Sequence, residues 1–149
     1  MLRKFMFSIV LVVCAASLAF AAADEKKIAK DLVDKAVAFT KTHDKAATLK
    51  EISKPKGQFD KGEIYVFAYD LKGTVVAHPK NPKLIGKNVL EVPDIDGKFF
   101  RKDIMTQAAT KGSGWVDYKY KNPQNNKVEQ KTTYFQKAND LVICCGVYK

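Results

Sequence analysis

Lys131 stands inside Glu129-Gln-Lys-Thr-Thr-Tyr134, a run with the composition of a strand. An ammonium at a buried strand position needs an anionic partner, and a ligand carboxylate would supply one. On an edge strand the same lysine is simply solvated, and the sequence leaves both readings open. His78 ends the run Gly73-Thr-Val-Val-Ala-His-Pro79. Pro79 has no N–H for a ladder, so the strand stops there and leaves an imidazole at its end, either as a structural group or facing a cavity. On the preceding strand, alternation separates Ile64, Val66 and Ala68 from Tyr65, Phe67 and Tyr69. The aliphatic set suits packing against a helix; the aromatic set, with its hydroxyls, suits a pocket. Trp115 follows the hinge Gly112-Ser-Gly114 and either walls the cavity or packs in the core. Tyr134 has the opposite parity to Lys131, so the two share a face only across a bulge. The resulting candidate site has Lys131 holding a carboxylate, His78 and Tyr118 adding hydrogen bonds, and Tyr65, Phe67 and Trp115 forming apolar walls.

Other chemistries find little support. His43 and His78 are the only histidines, and there is no H-E-x-x-H, G-x-S-x-G or phosphate-binding glycine loop. No cluster has zinc-ligand spacing, nothing resembles a calcium loop, and C-x-x-C-H is absent, so neither an enzyme nor a cofactor is expected. Cys144 and Cys145 are adjacent on a strand and point to opposite faces, poor geometry for a mutual disulfide. They read as two buried, reduced small hydrophobes.

These residues require elements to position them. Asp24 to about Thr42 has Ile28, Leu32, Ala36 and Phe39 at three- and four-residue intervals, an amphipathic helix with one core-facing stripe. A shorter helix is predicted from Asp44 to Ile52, capped by Thr42 or Asp44. Residues 63–70 and 74–78 form a hairpin, with Asp70-Leu-Lys-Gly73 as a type I turn closed by a glycine at positive φ. Lys80 to Gly97 is rich in glycine and proline and reads as a folded lid with brief helical turns. Phe99 to Thr110 is helical, with Phe100, Ile104 and Ala108 spaced by four. Trp115–Lys121 and Lys127–Lys137 are strands separated by Asn122-Pro-Gln-Asn-Asn126. Leu141–Tyr148 is apolar on both parities, so it belongs in the middle of a sheet.

Arg3 and Lys4, the uncharged run Phe5 to Phe20 and then Ala21-Ala-Ala23 have the form of a secretory signal peptide cut near Ala23. Residues 24–149 then form one domain, soluble and periplasmic or secreted, with no membrane-spanning segment or signalling domain of its own. Removing Arg3 and Lys4 lowers the net charge from +10 to +8. Export and the dispersal of the lysines argue against nucleic acid as the partner.

Several motifs together resemble the single Cache domains, extracytoplasmic relatives of the PAS fold. They are Gly57-Gln-Phe59, Tyr65-Val-Phe-Ala-Tyr-Asp70, Gly73-Thr-Val-Val-Ala-His-Pro79, Leu84-Ile-Gly-Lys-Asn88 and Asp96-Gly97. The resemblance continues through Gly112-Ser-Gly-Trp-Val-Asp-Tyr118, Lys131-Thr-Thr-Tyr134 and Gly146-Val-Tyr148. It implies an α+β fold: a long N-terminal helix packed on a five-stranded antiparallel sheet, with a helical insert after the second strand. It further implies a pocket on the far sheet face for small organic ligands, often short carboxylates, as in the sensor domains of chemotaxis and signal transduction. The expected role is binding a short carboxylate or similar metabolite and passing occupancy to a separate membrane partner. The alternative is a ligand-free interaction module docking to a membrane receptor or sensor kinase.

Overall fold

The computed structural model describes the backbone of residues 8–149 and the side chains from Ala19 onwards. The first seven residues of the expected leader and the side chain of Cys14 lie outside the described residues. Helix α1 (Ser8–Thr40) passes unbroken through Ala23 and Asp24, beginning well before the expected Asp24. No glycine or proline interrupts residues 8–40, and alanine and leucine there are strong helix formers. Its buried stripe is Ala29, Leu32, Val33 and Ala36, whereas Ile28 is 43% exposed. The helix is therefore rotated from the expected phase, with small Ala29 and Ala36 taking the places closest to the sheet. Helix α2 (Lys45–Ile52) is capped by Asp44, whose carboxylate accepts from the Ala47 N–H at 2.7 Å.

The remaining elements are β1 (Asp60–Lys61), β2 (Ile64–Asp70), β3 (Val75–Ala77), a 3₁₀ turn (Pro82–Leu84), α3 (Phe100–Lys111), β4 (Ser113–Lys121), β5 (Val128–Ala138) and β6 (Leu141–Tyr148). The sheet runs β1-β2-β6-β5-β4, with β3 also paired to β2, and every pairing is antiparallel. The last strand is thus central, as its two-sided apolar pattern requires. One strand exceeds the expected five: β1 is a two-residue arm folded onto β2 through Gly62, at φ 87°. The expected hairpin turn is present. Gly73 has φ 86°, and the Asp70 carboxylate accepts from the Lys72 and Thr74 N–H groups, both at 2.9 Å.

Two apolar cores lie on opposite faces of this sheet. Against α1 pack Val66, Ala68, Tyr134, Ile143, Cys145 and Val147. On the far face, under the insert and α3, are Tyr65, Phe67, Tyr69, Tyr118, Phe135 and Cys144. The alternation expected on β2 is borne out residue by residue. Cys144 and Cys145 are both free and buried, one in each core.

The insert between β3 and α3 is held down by backbone and carboxylate hydrogen bonds. Val75 and Val89 N–H donate to the Lys87 and Gly73 carbonyls at 3.0 and 3.1 Å. Asp94 accepts from the Asp96 and Lys98 N–H groups through one oxygen and from the Lys119 N–H, on β4, through the other. Asp94 thus ties the insert to β4, alongside the Lys119–Asp96 ion pair and the Lys98 ammonium's hydrogen bond to the Asp117 carbonyl.

Candidate functional site

The far face of the sheet encloses a cavity of about 10 Å³, roughly the room of one water. Strands β2, β4 and β5 provide its floor, α3 one wall, and the residues flanking Pro79 and Leu84 its rim. An open groove of about 350 Å³, lined by Lys80, Asn81, Lys121 and Asn126, shares His78 and Tyr120 with the cavity. Those two side chains therefore stand between the buried space and solvent.

Lys131 is the polar centre of this cavity. It pairs across the sheet with Tyr118 on one side and Tyr148 on the other, and it is 2% exposed. Gly146 makes room for its stem: a Cβ there would sit 2.3 Å from Lys131 Cε. The ammonium donates to the Tyr65 and Tyr148 hydroxyls, both at 3.3 Å. It also lies 4.7–5.3 Å from the ring centroids of Tyr65, Phe67, Tyr120 and Tyr148, within cation–π range. Among the described residues no carboxylate pairs with it. Burial holds its pKa down at about 8, so it remains mostly an ammonium at neutral pH.

His78 is also buried, tilted beside Tyr65 and stacked with Phe67, with centroids 5.4 and 5.7 Å away. Its Nδ1 accepts from the Lys80 and Asn81 N–H groups at 3.2 and 3.0 Å. Burial, followed by the charges of Lys131 and Lys80, pushes its pKa down to about 3. The imidazole is therefore neutral with its proton on Nε2, a fixed donor rather than a cation. The structural and cavity-lining readings of His78 both hold: Nδ1 ties the chain after β3 while the ring lines the cavity.

Tyr118 shares a 2.8 Å hydrogen bond with Thr133 and stacks face to face on Phe100 at 3.7 Å. Burial raises its phenol pKa well above the usual value, so it stays a neutral donor. The structure thus brings Tyr65, Phe67, His78, Tyr118 and Lys131 together on one face.

Trp115 is elsewhere, which corrects the expectation that it walls the cavity. It packs on the α1 side, 5.3 Å from Tyr134 and beneath the ammonium of Lys26 at 5.0 Å. The reason is parity. Trp115 and Tyr118 are three residues apart, and β4 pairs with β5 without a register break from Ser113 to Lys121. Tyr134 lies on the α1 face for the same reason, opposite to Lys131.

Arg101, Tyr120 and Tyr148 also belong to the site and were not anticipated from the sequence. Arg101, 5% exposed, lines the cavity from α3. Its guanidinium lies 4.2 Å from the Phe100 ring centroid, and one terminal nitrogen donates to the Val92 carbonyl at 3.0 Å. Its Nε is buried without a hydrogen-bond partner. The signal was present in the spacing. Arg101, Ile104 and Ala108 form a buried i, i+3, i+7 set, so a cation sits within an apolar stripe.

A sheet with its last strand central, one long helix behind it and a small polar-lined cavity under a helical insert defines a PAS-like fold. The chain belongs to the Cache domain family, whose sequence profile matches residues 16–149. Cache domains are extracytoplasmic sensor domains. The structure of a methyl-accepting chemotaxis protein from Vibrio parahaemolyticus is similar with a TM-score of 0.71 at 23% identity, covering 93% of this chain and 95% of that one. A Cache chemosensory domain whose structure was described as the basis for carboxylic acid recognition gives a TM-score of 0.66 at 26% identity, covering 89% and 97%. Methyl-accepting chemotaxis protein McpP of Pseudomonas putida is 30% identical over 86 residues, 56% of this chain but 16% of McpP. The chain thus matches only a small part of that curated relative. Among the described residues, no helix is long and apolar enough to cross a membrane.

Proposed function

We propose that this domain binds a short organic carboxylate outside the cytoplasm and passes occupancy to a separate membrane receptor or sensor kinase. The observation that carries the reading is the Lys131 ammonium, buried in a ring of aromatic faces with no carboxylate beside it. A ligand carboxylate would supply the missing charge and take hydrogen bonds from Lys131, His78 and Tyr118, while Tyr65 and Phe67 pack on its carbon chain. The similar Cache domain described as recognising carboxylic acids supports the same class of ligand, and the chemotaxis relative supports a sensing role.

Calorimetric titration with two- to four-carbon carboxylates tests this. Truncating one partner of a buried charged hydrogen bond costs about 2–5 kcal/mol. Lys131→Met is therefore expected to weaken binding at least about thirtyfold. Phe67→Leu should weaken it far less, and Trp115→Phe, on the other face, should leave it unchanged. Equal binding by wild type and a folded Lys131→Met protein overturns the site. The proposal includes export, with the leader cut near Ala23. The intact mass of exported protein starting within a few residues of Asp24 supports that part, and an uncut chain refutes it.

One observation favours a second reading, a ligand-free docking module. Ile85, Val92, Ile95 and Phe99, on the insert and its junction with α3, are each exposed, Ile95 at 71%. Titrations silent for every carboxylate, together with loss of receptor binding in Ile95→Asp, would select it.

A further inference from the structure

The two ends of the sheet are built differently. At one end β2 carries only β1, two residues long, and β3, three residues long. At the other stands β4, nine residues long, without a proline and in unbroken register along β5. Its outer edge pairs with no strand among the described residues. The bonds at its two ends fix which backbone groups face out. The Gly112 carbonyl accepts from the Lys137 N–H, and the Asn122 N–H donates to the Lys127 carbonyl, so even-numbered residues turn towards β5. Odd-numbered residues therefore turn outwards. Two of their groups are taken by the insert, the Lys119 N–H by Asp94 and the Asp117 carbonyl by the Lys98 ammonium. Among the described residues, nothing takes the N–H and C=O of Ser113 and Trp115 or the N–H of Asp117.

A long open edge invites another strand, and proteins that must stay apart defend it with charge, proline, a bulge or a short length. The charged residues of β4 are Asp117, Lys119 and Lys121, all at or beyond the point where the insert caps the edge. Ser113-Gly-Trp-Val116 has neither charge nor cap. Trp115, the one tryptophan in the chain, sits half-buried in the middle of this undefended stretch, on the α1 side of the sheet.

We infer that this edge pairs with the same edge of a second copy of the chain, antiparallel about a two-fold axis at Trp115, so that two sheets become one. The stretch is self-complementary in that register. Each Asp117 faces a Ser113 and each Val116 a Gly114, so no like charges meet, and the two indole rings form a cross-strand pair on one face. The outward groups of residues 113, 115 and 117 all find partners. Moving the axis one residue towards Lys119 would set Ser113 against Lys119, whose N–H Asp94 already holds. Moving it the other way leaves the Asp117 N–H unpaired. Five residues from each copy make a small isologous interface, so the association depends on concentration rather than being permanent. It is independent of what occupies the cavity on the far face.

The experiment is sedimentation equilibrium of the exported wild-type protein from about 1 μM to about 1 mM, with Trp115 emission recorded on the same samples. A monomer–dimer equilibrium is expected, and the emission should shift over the same concentrations, since the single indole lies in the seam. Ser113→Glu sets a carboxylate against Asp117 at both ends of the seam and should weaken the dimer at least about threefold; Ser113→Lys should tighten it by a similar factor. Net charge alone predicts the reverse order, because the chain carries +10 and a glutamate lowers its self-repulsion. The order of the two variants therefore reports the register. A wild-type protein that stays monomeric throughout overturns the pairing. So does a dimer that leaves Trp115 emission unchanged, or one in which Ser113→Glu associates as tightly as Ser113→Lys or more so.

Discussion

Between pH 8 and 10.5 the protonation of Lys131 and the folding of the chain oppose one another. Its ammonium has a pKa near 8 when buried, against an ordinary 10.5, so over that range the unfolded chain holds the proton and the folded chain sheds it. Stability therefore rises with pH through this window, and below pH 8 the full cost of burying the charge is felt. A shift of that size corresponds to at most about 3 kcal/mol, since the four ring faces return part of it. Lys131→Met should accordingly make the ligand-free protein more stable at pH 7, and this advantage should shrink above pH 9. Urea unfolding of both proteins at the two pH values checks it; a gap independent of pH refutes it. Gly146 is tied to the same side chain. In Gly146→Ala the new Cβ would fall 2.3 Å from Lys131 Cε and 2.5 Å from Thr133 Oγ1, an overpacking expected to cost about 1–3 kcal/mol. Part of that loss should vanish in a Lys131→Ala background, the contact with Thr133 remaining, and a double-mutant cycle measures the share directly. The cysteines are the opposite case, neutral and inert. Burial raises both thiol pKa values, Cys145 to about 12, so thiol labelling should be slow in the native protein and fast in denaturant.

The insert covers the cavity, and Asp94 is one of its fastenings. Burial pushes the Asp94 pKa up, but the N–H groups of Lys119, Lys98 and Asp96 outweigh it and leave the pKa lowered. The contribution is therefore present above the ordinary carboxylate pKa and lost as pH falls below it. Asp94→Ala should speed amide exchange across residues 80–99 while β5 and β6 stay protected, as hydrogen–deuterium exchange can show; uniform acceleration would mean that the insert and the sheet open as one unit. The elements differed in how plainly the sequence announced them. The β2–β3 hairpin was legible because aromatic alternation and an Asp-to-Gly turn agree. The phase of α1 was not, because Ile28 looks more hydrophobic than Ala29, while close packing on a sheet selects the smaller residue. Two residues of β1 are too few to show a period. Trp115 was misplaced although parity already set it opposite Tyr118. Arg101 was missed because charge on a short helix reads as solvated until its apolar neighbours are seen on the same face.

At the scale of the whole molecule, the sheet divides the chain into a closed apolar core against α1 and a polar-lined, aromatic one under the insert. The first secures the fold; the second holds the costly charges. The division follows from strand alternation and was legible in β2, whereas the meeting of α3 with β5 depends on long-range packing that no local pattern encodes. The two cores share β6, whose neighbours on the sheet, β2 and β5, come from opposite ends of the chain's order. A chain cut after Asp140 should therefore lack both cores and show no cooperative melting by circular dichroism; a truncated protein that melts cooperatively would refute this. The same strand governs when the protein can exist at all. A polypeptide emerging from a ribosome has no continuous sheet until the eight-residue strand Leu141–Tyr148 is free. Until that moment the β2 and β5 edges that flank it stay open.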